Sequence, residues 1–341
     1  MKVAVMLGEG KAGLADRADP APREDFVLVK VRAVPMCTEY KMFKSGHKGD
    51  WLGHEAAGEV ASVAQPGKVK VGDRVVVMPQ YPCGKCALCL SGDYIYCQSC
   101  VDPHKITGNP PPSGSTTYAQ YVVKQDWLLV PVPDDISIEH AGMACCGLGP
   151  TFGAMQRMAV DSFDTVLITG MGPVGLGGVI NGTHRGARVI AVEGQPYRAA
   201  LAKKLGAAEV IDPADQGALK RIMDLTGGRG VDKAVDCAGV PQSQRLMIDS
   251  VRRRGQAAFV GECWDPLAVK ASDDFIRKGL ILHGSWHYNL ADTLKLMEII
   301  GKEKARLDLL ITHRFPMSKV QEAWELQVTG NCGKIVLDPW A

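Results

Sequence analysis

Six of the eleven cysteines and one of the eight histidines stand where metal chemistry would need them. Cys83, Cys86, Cys89 and Cys97 are spaced C-x2-C-x2-C-x7-C, with Pro82 and Gly84 to bend the chain between them. Such gaps let four thiolates converge on Zn²⁺ at about 2.3 Å, closing the coordination sphere, so this lobe reads as a structural zinc site. Ferredoxin-type spacings are absent, which disfavours an iron–sulfur cluster, and Cys100 reads as a bystander.

A second chemistry is written in Gly170-Met171-Gly172-Pro173-Val174-Gly175, which follows an apolar strand and opens a helix. Gly170 permits a tight turn, Gly172 lets a pyrophosphate approach the backbone, and Gly175 lets helix pack on strand. Eighteen residues on, Glu193 ends the next strand, where a carboxylate accepts from a ribose diol and repels a 2′-phosphate. NAD is therefore expected in preference to NADP; Arg198, close behind, is the residue that would favour NADP.

Two further motifs flank the cysteine lobe, Cys37-Thr38-Glu39 and Gly53-His54-Glu55-Ala56-Ala57-Gly58, and a third, Cys145-Cys146-Gly147, precedes the glycine turn. Taken in order, these motifs resemble the zinc-dependent medium-chain alcohol dehydrogenases over essentially the whole chain. Gly72-Asp73-Arg74-Val75 and the final Gly333-Lys334-Ile335-Val336-Leu337 are similar to the family too. The resemblance implies a catalytic zinc on Cys37, His54 and Cys146, a structural zinc on Cys83, Cys86, Cys89 and Cys97, and Glu55 as a charge near the metal. Two thiolates and one imidazole leave a fourth position open for water or substrate, the pattern of a catalytic site. An alcohol bound there loses its proton near neutral pH and can deliver hydride to nicotinamide.

The family reads C-x-[ST]-D after the first ligand, and here Cys37-Thr38-Glu39 is one residue short. With the gap after Cys37, Thr38 accepts the substrate proton and Glu39 orients His54; with no gap, Glu39 faces the substrate as general base. Lys41 stands where relatives carry an outer histidine shuttle and reads as solvated.

These residues must be positioned by two kinds of element. Valine-rich strands are predicted over residues 2–7, 26–34, 55–63, 74–78, 118–123 and 128–132, a pattern of short strands that suggests an antiparallel barrel. From about residue 150, strands (165–169, 188–192, 209–211, 233–236, 257–261, 281–285) alternate with helices, describing a doubly wound parallel sheet. Helices near 290–300 and 317–326 and a strand at 334–337 are too few for a core and return to the first domain. The expected architecture is α/β: a GroES-like barrel domain over 1–148 and 288–341, and a Rossmann domain over 149–287.

Composition bounds the rest. The chain has 341 residues, 46% hydrophobic and 22% charged, with 39 basic against 37 acidic side chains for a net charge of +2, which excludes a broad nucleic-acid footprint. No apolar run spans a membrane, and the thiol content suits a reducing compartment, so the expected setting is cytoplasmic. Residues near Trp51, Pro79-Gln80-Tyr81, 102–115 and Ser285-Trp286-His287-Tyr288-Asn289 are expected to line a polar pocket. The predicted function is hydride transfer between NAD and a secondary alcohol (polyol, sugar or amino alcohol), giving the ketone or aldehyde, in a homodimer or homotetramer. The competing readings are a zinc-free enoyl or quinone reductase, which would lack the Cys37/His54/Cys146 set, and a non-catalytic zinc protein on the same scaffold.

Overall fold

The computed structural model describes residues 1–100 and 114–341. The chain divides into two compact units, residues 1–146, 289–304 and 311–341 forming the first and residues 147–288 and 305–310 the second.

The first unit is built on valine-rich antiparallel strands. β1 (Lys2–Gly8) turns at Gly10, whose φ of +62° suits glycine, into β2 (Lys11–Asp16), forming a two-stranded sheet. The sequence reading placed no strand at β2, because Lys-Ala-Gly-Leu-Ala-Asp has little β propensity. Pairing with β1 imposes the conformation. β3 (Phe26–Pro35) is the spine of the larger sheet, pairing with β4 (Ala56–Ser62), β6 (Tyr121–Gln125) and β15 (Lys334–Asp338). β5 (Arg74–Val77) and β7 (Leu129–Pro131) extend it on one side and β14 (Ile311–Pro316) on the other, giving the order β14-β15-β3-β4-β5-β7. Gly58 makes the β3–β4 pairing possible, since a Cβ there would lie 2.1 Å from the Lys30 carbonyl oxygen. Val29, Val31, Val34, Val75, Val77 and Leu129 turn inward with Trp324 to form the core.

The second unit is a six-stranded parallel sheet: β8 (Thr165–Thr169), β9 (Arg188–Val192), β10 (Glu209–Ile211), β11 (Val231–Asp236), β12 (Val251–Phe259) and β13 (Ile281–Gly284). Its order β10-β9-β8-β11-β12-β13 reverses direction between β8 and β11, the doubly wound arrangement whose switch point takes a dinucleotide. β12 begins at Val251, six residues before its apolar stretch, because Val231 pairs with Val251 ahead of a register shift.

The domain boundaries differ from expectation at three places. Residues 305–310, within the helix Lys304–Leu310, belong to the second unit, although all of 288–341 is expected in the first. The physical reason is local: Arg306 donates to Thr183 and to the Leu205 carbonyl, and Leu307 and Leu310 are fully buried. The first unit also ends at residue 146 instead of 148 and resumes at 289 instead of 288.

Candidate active site

Cys37 emerges from the end of β3, where the Met36 amide bonds to the Ile335 carbonyl at 2.9 Å. His54 enters β4 from Gly53, which adopts a φ of +86°. Cys146 follows the helix Ile138–Gly142, whose Ser137 cap accepts from the His140 amide. These three segments bring a ligand atom each from Cys37, His54, Glu55 and Cys146 within 4.8 Å of one another. His54 Nε2 lies 3.2 Å from Cys146 Sγ, while its Nδ1 lies 2.9 Å from Glu39 Oε1. A carboxylate holding the Nδ1 proton leaves the Nε2 lone pair directed at the thiols, which is how metal-binding histidines are oriented.

Glu55 is otherwise engaged. One oxygen accepts from Lys334 Nζ at 2.8 Å and the other from the Cys146 amide at 3.1 Å. Both side chains are buried, so the Glu55 carboxyl is held between the Lys334 ammonium and the Cys146 backbone amide, which it clamps in place. Cys145, next to Cys146, points elsewhere, its thiol 3.5 Å from the Val77 carbonyl. Thr38 is exposed and Glu39 is buried.

The electrostatics suit a cation. A hydrogen bond from Cys146 holds the Cys37 thiol well below its usual range against burial, with Lys334 and His54 assisting, and the same bond raises Cys146. Burial opposes charge on His54, but Glu39 and Cys37 outweigh it and raise the imidazole. Burial pushes the Glu55 carboxyl up to about 8, with Lys334 opposing. Thiolate, imidazole and buried carboxylate thus share one pocket, a donor set that fits Zn²⁺ with three protein ligands.

The four-cysteine lobe fits a second ion. Cys83, Cys86, Cys89 and Cys97 offer sulfurs within 4.8 Å of one another, with separations of 4.0 Å (Cys83–Cys89), 3.5 Å (Cys86–Cys89) and 3.9 Å (Cys86–Cys97). A tetrahedron with bonds of about 2.3 Å has edges of about 3.8 Å, so these spacings need little adjustment. Backbone amides already solvate sulfur: Cys83 and Ser99 donate to Cys97 Sγ at 3.3 and 3.4 Å. Amides of Lys85 and Cys86 lower the Cys83 thiol to about 6.

In the second unit the glycine turn leaves β8 with Gly170 at φ +81°. A Cβ on Gly170 would lie 2.7 Å from Ala238 backbone atoms, and one on Gly175 would lie 1.9 Å from the Gly170 carbonyl oxygen. Gly172 has open space around it, as backbone approached by a pyrophosphate requires. Pro173 and Val174 open the helix Pro173–His184, whose free amides point out of the turn. Glu193 accepts from the Met171 amide at 2.7 Å and the Gln195 amide at 2.8 Å, so its carboxylate closes the turn. The Arg198 amide bonds to Gln195 Oε1, capping the next helix.

Three groups were missed from sequence: Lys334, Tyr118 and Gln327, whose amide donates to the Cys37 carbonyl at 2.6 Å. A lysine heading the apolar run Ile335-Val336-Leu337 was the available signal for Lys334. Several residues expected to line a pocket have internal duties instead. Tyr81 is buried and donates to the Val123 carbonyl at 2.9 Å, and Asn289 donates to the Ser91 carbonyl at 2.8 Å. His287 stacks on Tyr288 with ring centroids 4.7 Å apart, while Trp51 and Trp286 are exposed. Residues 102–113 of the expected pocket loop lie outside the described residues.

Residues 23–134 match the family model of the alcohol dehydrogenase GroES-like domain, and residues 173–302 that of the zinc-binding dehydrogenase. The chain is 33% identical to the sorbitol dehydrogenase of Bacillus subtilis (strain 168), over 99% of this chain and 97% of that one. It is 31% identical to the L-threonine 3-dehydrogenase of Pyrococcus horikoshii, over 93% of this chain and 92% of the other. The alcohol dehydrogenase TADH from Thermus sp. ATN1 superposes with a TM-score of 0.89 over 99% of both chains at 21% identity, a likeness of fold. Length, order of motifs and architecture agree throughout, and the chain belongs to the zinc-dependent medium-chain alcohol dehydrogenase family of oxidoreductases.

Proposed function

We propose that the protein oxidises a secondary alcohol of a polyol, sugar or amino alcohol to the ketone, with NAD as hydride acceptor and two zinc ions per chain. The carrying observation is the convergence of Cys37, His54 and Cys146 with the outer nitrogen of His54 already held by Glu39. Zinc on these three would acidify a bound hydroxyl and, in reverse, polarise a carbonyl, while NAD on the glycine turn would take or return the hydride.

The chain's own residues have separate tasks in this reading. Glu39 fixes the imidazole and is thereby committed, so it acts through His54 and not on the substrate. Thr38, exposed beside the first ligand, is the proton acceptor. Glu55 and Lys334 together bring a near-neutral buried pair against the thiolates and hold the Cys146 amide. Gly170, Gly172 and Gly175 shape the turn, Pro173 starts the helix, the free amides of its first turn from Val174 on face the pyrophosphate, and Glu193 disfavours a 2′-phosphate. Relatives that act on sorbitol and on L-threonine support a substrate carrying several polar groups.

Cys83, Cys86, Cys89 and Cys97 hold the second, structural zinc. β13 at the sheet edge, with Ile281 exposed, is suited to pairing with a second copy, and the thiol-rich sites suit a reducing cytoplasm. The test is a panel of polyols, sugars, amino alcohols and simple alcohols read by absorbance of reduced NAD and NADP. Turnover of at least one polar secondary alcohol with NAD is expected; activity confined to enoyl or quinone reduction would overturn the reading.

A further inference from the structure

We infer that Tyr118 is a positioning residue for the catalytic metal centre, its hydroxyl locking Glu39 and its ring seating Gly53, so that Cys37 and His54 are held in register. The inference rests on the metal site proposed above and concerns how this chain builds it.

The starting point is the shortened Cys37-Thr38-Glu39 motif. A carboxylate that must reach His54 from a truncated loop needs its own support. Its backbone is fixed by the helix Tyr40–Ser45, where the Met42 and Phe43 amides bond to the Glu39 carbonyl at 3.0 and 3.1 Å. Its side chain spans two partners: Oε1 at 2.9 Å from His54 Nδ1, and Oε2 accepting from the Tyr118 hydroxyl at 3.4 Å.

Tyr118 is itself fully buried and held by its backbone and its ring. Its amide donates to the Leu52 carbonyl at 3.2 Å, two residues before His54. A Cβ on Gly53 would lie 2.2 Å from Tyr118 Cδ2, so the ring sits directly on the backbone that delivers the histidine. The Tyr118 ring also stacks on Trp324 (centroids 5.5 Å apart, planes 15° apart), and Trp324 stacks on Phe43 of the helix that Glu39 begins (5.9 Å, 22°). The path from Glu39 through its helix to Phe43, Trp324 and Tyr118 thus returns to the Glu39 carboxylate. Phenylalanine would supply all the stacking; the hydroxyl, on a residue 1% exposed, adds the bond to Glu39 and a contact with the Cys37 backbone amide, so both of its polar partners belong to the first-ligand segment.

The test uses Tyr118→Phe, which keeps the ring, in the intact two-metal chain. Loss of zinc to dipicolinate is followed, and the ligand-field absorption is recorded after Co²⁺ replaces zinc. Outer partners of metal ligands change metal affinity by 10–100-fold, so release from the Cys37/His54/Cys146 site is expected to quicken by about tenfold with a shifted Co²⁺ band. The four-cysteine site is the internal control and should release its metal at the wild-type rate. Glu39→Gln should show a similar defect, and Tyr118→Phe should add less than about twofold in that background, as partners in one chain of contacts do. Release and spectrum within about twofold of wild type, or full additivity with Glu39→Gln, would overturn the inference. A chain that turns over no alcohol but shows the site-selective release loses the proposed substrate reading and keeps this one. A chain that binds metal only on its four cysteines loses both.

Discussion

Lys124 gives the sharpest quantitative test of the folded unit that carries both metal sites. It lies on β6, 2% exposed, donating to the Gln80 carbonyl at 2.6 Å with its ammonium 3.7 Å from the centre of the Tyr81 ring. Gln80 holds a left-handed φ of +66° just before the chain enters the cysteine lobe, so the lysine pins a strained entry. Burial pushes the amine down from 10.5 to about 7, opposed by the thiols of Cys145 and Cys100. An unfolded chain keeps this proton up to about pH 10.5, whereas the folded chain releases it near 7. Folding therefore expels a proton between those values, and wild-type stability rises with pH across that window by about 1.4 kcal/mol per unit. Over the whole shift the charged form costs on the order of 5 kcal/mol, fully present below pH 7 and gone above 10.5.

Lys124→Met removes the titration and leaves the Gln80 carbonyl without its donor, a loss of about 1–3 kcal/mol. The variant is expected to be more stable than wild type at about pH 6.5 and less stable at about pH 9.5, with a crossover between. Guanidinium unfolding of both chains, followed by tryptophan fluorescence at several pH values, measures the difference, in which the ionisation of the shared cysteines cancels. A stability difference that stays flat within about 0.5 kcal/mol across that range would refute the reasoning, since it would mean the buried amine keeps its ordinary proton affinity.

Other outcomes follow from the same geometry. Lys334→Met leaves Glu55 buried without its counter-ion and should cost about 3–5 kcal/mol, most of it recovered in the Lys334→Met/Glu55→Gln double variant; denaturant midpoints decide this. Elemental analysis should find two zinc ions per chain in wild type and one in Cys37→Ser, with turnover lost but the cysteine lobe still filled. Gly175→Ala places a methyl 1.9 Å from the Gly170 oxygen and should weaken NAD binding at least about tenfold by fluorescence titration, without abolishing folding. Thr38→Ala should lower kcat by about 10²-fold or more at unchanged zinc content; full turnover would remove Thr38 from proton transfer.

Much of this protein was legible before any coordinates, for identifiable reasons. A parallel strand buried on both faces must be a continuous apolar run, so β8 and β9 announced themselves, and the glycine turn was fixed by backbone sterics that no other residue satisfies. Four cysteines at short gaps can meet only by local folding, which made their lobe readable from spacing alone. Other features depended on partners remote in the chain. β2 exists because β1 pairs with it, and residues 305–310 joined the second unit through the bonds of Arg306, neither of which leaves a local pattern. Sequence left Thr38 and Glu39 as rivals; a 2.9 Å contact to His54, which no spacing rule contains, decided what Glu39 touches. Likewise Lys334 meets Glu55 across 279 positions, and Tyr118 meets Glu39 across 79. Residue type and local spacing determined which donors were available, whereas the closing of β3, β4 and β15 into one sheet decided which of them share a pocket, because burial and charge pairing are properties of the packed chain.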